Sequence, residues 1–445
     1  MLFRSHHCDW NRSIERSLQT MYEMVTRSAN VTLSPFQASA KVSIASLTKL
    51  FEQEVDSIEF VQSRIIVILS TIYSSIIHYE ANKKLWIACQ TETSNFANIL
   101  MKALERTITL IDNQPIPYTS DTANIQGTIC RIVTTLCTFD DFKVNNTDDT
   151  SNTAPMVQSG HTAVQALYQV GAVPIVHQLI IQKCGNNVTV EQRDNCCIDE
   201  GVVTAFSALR AMAIQDDVVQ SMDKIGVIDS AVQVLYSTLR TESSSDGRKK
   251  ESFQLVTTII GLFRNVSAND DIKTSLCIGN NRNVVQATVQ VMEIYQDMAL
   301  LQEHGCGLFA AMALRKPNNA TALVMAGVHN CIVNIAMRQH PTSVTVQRQA
   351  ALAIRNIASR SPELRSMILN DCDTECTLRT IAGTHLRCQD EVYAALRDLG
   401  LEIQSVHVHH ADDGTITVQE GRPAFGVRNP NFRPDFTASD ATIKQ

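Results

Sequence analysis

One phrase recurs along this chain at a nearly constant spacing. Leu262-Phe263-Arg264-Asn265-Val266-Ser267-Ala268 returns as Leu308-Phe309-Ala310-Ala311-Met312-Ala313-Leu314, and again as Ala353-Ile354-Arg355-Asn356-Ile357-Ala358-Ser359. With Arg264, Ala310 and Arg355 taken as one column, the steps are 46 and 45 residues. That period fits a unit of two or three helices that cannot bury its apolar face alone and must stack on its neighbours. Size points the same way. A single core stops growing at about 250–300 residues, so a chain of 445 residues must divide or stack.

The column extends in both directions. Ala208-Leu209-Arg210-Ala211 lies one unit earlier, with Arg210 54 residues before Arg264, and Ala395-Leu396-Arg397-Asp398 lies one unit later, 42 residues after Arg355. Arg131 to Asp140 and Ile65 to Tyr79 read as earlier members. Each copy carries a helical stripe: Val346, Ala350, Ala353, Ile354 and Ile357 in one, Val203, Phe206, Leu209 and Ala213 in another, Ile259, Leu262, Phe263 and Val266 in a third. Spacings of three and four residues mark amphipathic helices. A polar break follows each copy (Asp216-Asp217, Asn269-Asp270-Asp271, Pro317-Asn318-Asn319, Ser361-Pro362), with the residue types that start or cap a helix. A short helix comes next, then in several units a glycine (Gly171, Gly226, Gly327) and a second short helix.

This order of long helix, break, short helix, glycine and short helix resembles armadillo repeats. The Arg264-to-Asp271 block, the Cys306-to-Pro317 block and Gly400 are similar to the armadillo repeat-containing protein 6 family, with the likeness strongest over residues 200–400. The resemblance implies an all-α, right-handed superhelical solenoid of six or seven units. The expected organisation is an N-terminal helical cap over 1–54, with helices from Arg12 to Arg27 and Phe36 to Gln53. Armadillo repeats follow over 55–404, with polar insertions near 143–160 and 241–250, and a short irregular tail over 405–445. Within that tail, His407-Val408-His409 and Thr415-Ile416-Thr417-Val418 alternate like strands, and Asp413-Gly414 between them suits a hairpin turn. Further on, Phe425, Phe432 and Phe436 sit among prolines and a glycine, either folding back on the last repeat or serving as a short linear motif.

In armadillo proteins that bind extended peptides, the long third helix lines the concave face and carries an asparagine that holds the ligand backbone. Matching positions here hold Asn265 and Asn356, but Thr135, Ala211, Ala311 and Asp398 elsewhere. The tryptophan that importin-type repeats place four residues earlier is replaced by Gly261 and Leu352, so binding of nuclear-localisation peptides is not expected. The neighbouring column is richer: Arg210, Arg264, Arg355 and Arg397. Guanidinium forks suit carboxylate and phosphate. The candidate peptide-binding residues are therefore Arg210, Arg264, Asn265, Arg355, Asn356 and Arg397, facing an extended and acidic or phosphorylated segment. The competing reading has the same arginines bridging adjacent repeats through Asp and Glu.

Other chemistry is thinly represented. Gly305-Cys306-Gly307-Leu308-Phe309-Ala310 has the letters of a dinucleotide fingerprint but lacks a preceding strand. Cys372, Cys376, His385 and Cys388 are ligands of zinc-compatible type, at a spacing that crosses a repeat's short helices. Walker A, H-E-x-x-H and G-x-S-x-G motifs are absent, and neither enzyme activity, cofactor nor metal is expected. A net charge of −7 and two tryptophans disfavour the alternative of a nucleic-acid-associated helical array. The apolar run from Ile65 to Ile77 is shorter than the ~20 residues that span a bilayer, so no membrane partner is expected. Thirteen cysteines, an odd number without regular spacing, and an opening without an apolar leader segment point to a cytoplasmic or nuclear monomer whose partners are other proteins.

Overall fold

The computed structural model describes residues 35–57, 62–78, 83, 86–89, 94–112, 120–138, 154–184, 199–242, 249–279, 282–401, 405–410 and 416–421. Four helices come first: α1 (Pro35–Asp56), α2 (Gln62–His78), α3 (Phe96–Asp112) and α4 (Ser120–Cys137). Five three-helix units follow. They are α5 to α7 (Ala154–Gln169, Ala172–Cys184, Glu200–Met212), α8 to α10 (Asp216–Lys224, Val227–Glu242, Lys249–Val266) and α11 to α13 (Asp270–Ile278, Val284–Ile294, Ala299–Ala313). The last two are α14 to α16 (Pro317–Met325, Val328–Asn330, Val344–Ala358) and α17 to α19 (Arg365–Asn370, Thr374–Thr384, Gln389–Asp398). Helix α15 runs on as a π-helical segment, Cys331–Met337.

The third helices α2, α4, α7, α10, α13, α16 and α19 pack each on the next in chain order. They form the ladder of an all-α, armadillo-type solenoid. One continuous apolar cluster runs through it from Ile44 to Leu399. Each stripe anticipated above is buried, including Ile65, Ile68, Leu69, Ile72 and Ile76 of α2. The thirteen-residue apolar run is thus a core-facing helix, and among the described residues no single helix is long and apolar enough to cross a membrane.

The bend between the first and second helices is built on left-handed backbone. Gly171, Gly226 and Gly327 take φ of 78°, 86° and 76°, and at two of them the flanking helices turn by 71° and 73°. The other two units make the same corner without glycine. Asn283 (φ 47°) leads into α12 and Asp373 (φ 51°) into α18. Asn and Asp are the residues besides glycine that visit this region most readily.

The ladder also depends on buried glutamines. Near the start of three third helices, Gln302 donates to the Met292 and Tyr295 carbonyls (2.9 and 3.0 Å), Gln347 to Met337 and His340 (2.8 Å each) and Gln389 to Ala382 (3.1 Å). These carbonyls end the unit's second helix, where no intrahelical donor reaches them. Gln126 holds the equivalent place on α4 and bonds Thr107 of α3 (3.3 Å).

Several boundaries differ from expectation. The first cap helix, Arg12 to Arg27, lies outside the described residues; the second is α1, from Pro35 to Asp56. Its C-terminal carbonyls are held by Arg106, which donates to Val55 and, at 2.8 Å, to Ser57. Helix α5 begins at Ala154, inside the segment expected to be a polar insertion. Pro155 then falls in the first turn, where a missing N–H costs nothing. Thr241 and Glu242 complete α9, while Lys249 and Lys250 open α10. The tail is not irregular throughout: β1 (Ser405–His410) and β2 (Ile416–Gly421) pair antiparallel with Val408 opposite Val418. The phenylalanines of the tail and Asp413-Gly414 lie outside the described residues.

The glutamine column yields a stability prediction. Gln347→Leu leaves the Met337 carbonyl without its side-chain donor, while the His340 carbonyl keeps the Ser343 N–H (3.1 Å), and is expected to cost about 1–3 kcal/mol. Gln389→Leu releases two longer bonds, to the Ala382 carbonyl (3.1 Å) and the Tyr393 hydroxyl (3.2 Å), at a half-buried site and costs less. Urea-denaturation midpoints of both variants, compared with wild type, check the order.

Candidate functional site

The exposed edge of the ladder carries every candidate residue. Arg210, Arg264 and Arg355 are half-buried near the C-terminal ends of α7, α10 and α16, and Arg397 is exposed on α19. Asn265 and Asn356 are turned to the preceding rung. The Asn265 side-chain amide donates to the Arg210 carbonyl (3.0 Å), and that of Asn356 to the Ala310 carbonyl (2.9 Å). Both bonds join one asparagine to the preceding helix's residue in the arginine column. They fix the offset between neighbouring rungs.

That offset explains the glycines where importin-type repeats have tryptophan. The Arg210 side chain lies on Gly261 of the next rung, so that an added Cβ would meet Cζ at 2.6 Å. Arg264 lies in the same way on Gly307, with Nε 2.7 Å from an added Cβ. Where the preceding rung offers Ala310 instead of arginine, the equivalent position is Leu352. Arg355 departs from the pattern: the matching position of the next rung is Ala394, and Arg355 pairs with Asp398 (3.6 Å). The glycine-rich fingerprint letters are accounted for by packing: Gly305 leaves room for the Met292 sulfur and Gly307 for Arg264, both inside α13.

Charge is distributed unevenly along the ladder. Towards its start, Arg131 pairs with Glu200. Towards its end, Arg348 pairs with Glu391 (3.1 Å), and Arg355 and Arg397 share Asp398 (3.6 and 2.8 Å). Bridging through acids therefore holds at both ends. In the middle it does not. Arg210 makes one long contact, 3.4 Å to Nε2 of His304, and neither Arg210 nor Arg264 has a carboxylate within ion-pair distance among the described residues.

His304, on α13, completes this group. A guanidinium can only donate, so Nε2 accepts and the ring proton sits on Nδ1, buried and without an acceptor among the described residues. Burial first, then the charges of Arg210 and Arg264, lower the His304 pKa to about 4. Burial also lowers the Arg210 pKa, reinforced by Arg264 and opposed by Glu303. Three groups able to carry positive charge thus converge, with Glu303 as an acid that acts on Arg210.

The zinc-type residues do not converge. The Cys372 thiol meets Thr374 (3.3 Å), Cys376 is exposed, the His385 ring meets the Pro341 carbonyl and the Cys388 thiol meets the His385 carbonyl (3.5 Å). Among the described residues no three His, Cys, Asp or Glu are grouped to hold a metal ion.

The chain matches no protein-family profile and no curated protein. Solved structures that it resembles include two designed armadillo repeat proteins, one of them in complex with the peptide (KR)4. Each is 15% identical and covers 66% of this chain and 99% of its own, with TM-scores of 0.47 and 0.46. An engineered protein is 16% identical over 67% of this chain and 96% of its own, with a TM-score of 0.46. The three-helix unit described above rests on the chain's own helices rather than on this likeness.

His304 makes the stack sensitive to acid. The folded pKa lies below the ordinary value, so between about pH 6.5 and 4 the unfolded chain binds a proton that the folded one refuses. Stability from this residue is intact at pH 7 and falls by about 2 kcal/mol by pH 5. His304→Gln removes that dependence. Urea midpoints at pH 7 and pH 5 should drop further for wild type than for the variant.

Proposed function

We propose that this protein is a non-enzymatic scaffold or adaptor that binds an extended segment of another protein along the exposed edge of its third helices, the concave side of an armadillo stack. The observation that carries this reading is the continuous ladder, on which four of five consecutive rung positions of one column are arginine, with Ala310 as the single gap. Neighbouring helices lie about 8–10 Å apart and an extended chain advances about 3.3 Å per residue. Each rung would therefore meet roughly every third residue of a strand laid across it.

The column suits an acidic or phosphorylated segment. Arg210 and Arg264, half-buried on the ladder, have no carboxylate within ion-pair distance among the described residues, while Arg355 and Arg397 can exchange their shared Asp398 for an acid on the ligand. Asn265 and Asn356 contribute by holding the rungs in register, since their amides are already engaged. The acidic net charge weighs against a nucleic-acid ligand. The odd number of scattered cysteines supports a cytosolic or nuclear setting.

Charge reversal on the face tests the reading. The double variant Arg264→Glu with Arg355→Glu is expected to lose most of the proteins captured by wild type, with its circular dichroism and melting curve retained. Equal capture by both proteins, quantified by mass spectrometry, would sink the proposal.

A further inference from the structure

The middle of the ladder has a charge arrangement that its ends do not. Two half-buried guanidiniums on successive rungs, Arg210 and Arg264, each lie in a gap left by a glycine and have no ion-paired acid among the described residues, whereas the flanking arginines Arg131, Arg348, Arg355 and Arg397 are all paired. Like charges brought together in a partly desolvated place repel, and the cost grows as water is excluded. His304 adds nothing to offset them, being held neutral behind them. Glu303 is the acid that acts on Arg210 among the described residues, and it makes no ion pair among them. One negative charge at a distance leaves the pair undercompensated.

We infer that Arg210 and Arg264 form a seat for one oxyanion side chain of a bound protein segment, with a phosphate monoester as the preferred occupant. The inference rests on the reading of this face as a protein-binding surface. A phosphomonoester brings a charge of about −1.5 to −2 and three acceptor oxygens, which can serve both guanidiniums at once. A carboxylate brings one charge and two oxygens, so it leaves one arginine uncompensated. Both guanidiniums are pre-positioned. Gly261 and Gly307 let them lie against the backbone of the next rung, which restricts their rotamers before any ligand arrives. Glu303 acts as the competing acid that an incoming phosphate must outweigh.

His304 supplies the readout. Burial and then the two arginines hold its pKa down, so an anion bound between the arginines should raise it by offsetting their share, an effect that a purely structural arginine pair would not show. The probes are inorganic phosphate, a blocked phosphoserine, acetate and a short poly(U) oligonucleotide, each titrated into full-length protein labelled at histidine and followed by NMR. Phosphate and phosphoserine are expected to shift the His304 ring signals and raise its pKa, with acetate weaker by about tenfold, roughly 1.4 kcal/mol. Arg264→Gln should weaken phosphate binding at least tenfold. Gly307→Ala should weaken it several-fold at unchanged net charge, because the added methyl displaces a flexible guanidinium and alanine favours the helix. Glu303→Gln should tighten it.

Failure of phosphate to move His304 at tens of millimolar would overturn the seat, as would equal binding by wild type and Gly307→Ala. Acetate binding as well as phosphate would overturn the preference for a phosphomonoester. Poly(U) binding through these arginines while phosphoserine does not bind would overturn assignment to a protein segment. The seat and the scaffold fail separately. A silent His304 with capture still sensitive to charge reversal removes the seat alone. Phosphate binding with capture indifferent to charge reversal removes the scaffold reading.

Discussion

The stack depends on side-chain amides that reach carbonyls across helix boundaries. A helix that ends inside a packed unit leaves carbonyls without donors, and water cannot serve them there. Gln302, Gln347 and Gln389 answer them from the start of the third helix. Asn265 and Asn356 make the corresponding bond between rungs, each to the residue of the arginine column before it. Apolar contact alone would let neighbouring helices slide by a residue with little loss. The directed bonds do not, and the Asn265 bond to the Arg210 carbonyl ties α10 to the helix whose arginine lies over Gly261.

Much of this was visible in the residues. The recurring phrase located the third helices, the apolar stripes of α2, α7, α10 and α16 are buried as their spacing implied, and the His407 and Thr417 alternation became paired strands. What escaped was chemistry whose partner lies far along the chain. Asn283 and Asp373 turn the same corner as Gly171, but as polar residues in polar surroundings they carry no visible mark of a left-handed backbone. The glutamines recur at the arginine period, yet a lone glutamine on an apolar stripe reads as noise until the carbonyl it serves is known. The phrase also missed Ala154 to Gly160, where polar composition concealed the start of a helix.

The candidate column divides for an electrostatic reason. Whether an arginine is bridged depends on which acid the next unit supplies, and only the last unit offers Asp398 at that place. The bridging reading therefore describes the ends of the ladder, where the ion pairs are made. At the ends the arginines join repeats. In the middle they have no carboxylate partner among the described residues, and their charges add to burial in lowering the basicity of His304.

The contact between arginine and glycine also limits how freely the units can be rearranged. A chain of stacked repeats is commonly pictured as a set of interchangeable parts, since each touches only its neighbours. Here a long side chain leaving one unit needs an empty position in the unit that follows. Removing the unit of α11 to α13 would bring Arg264 against Leu352 instead of Gly307, filling the gap with an apolar side chain. The backbone repeats, but the order of the units is written in which of them protrude and which of them yield.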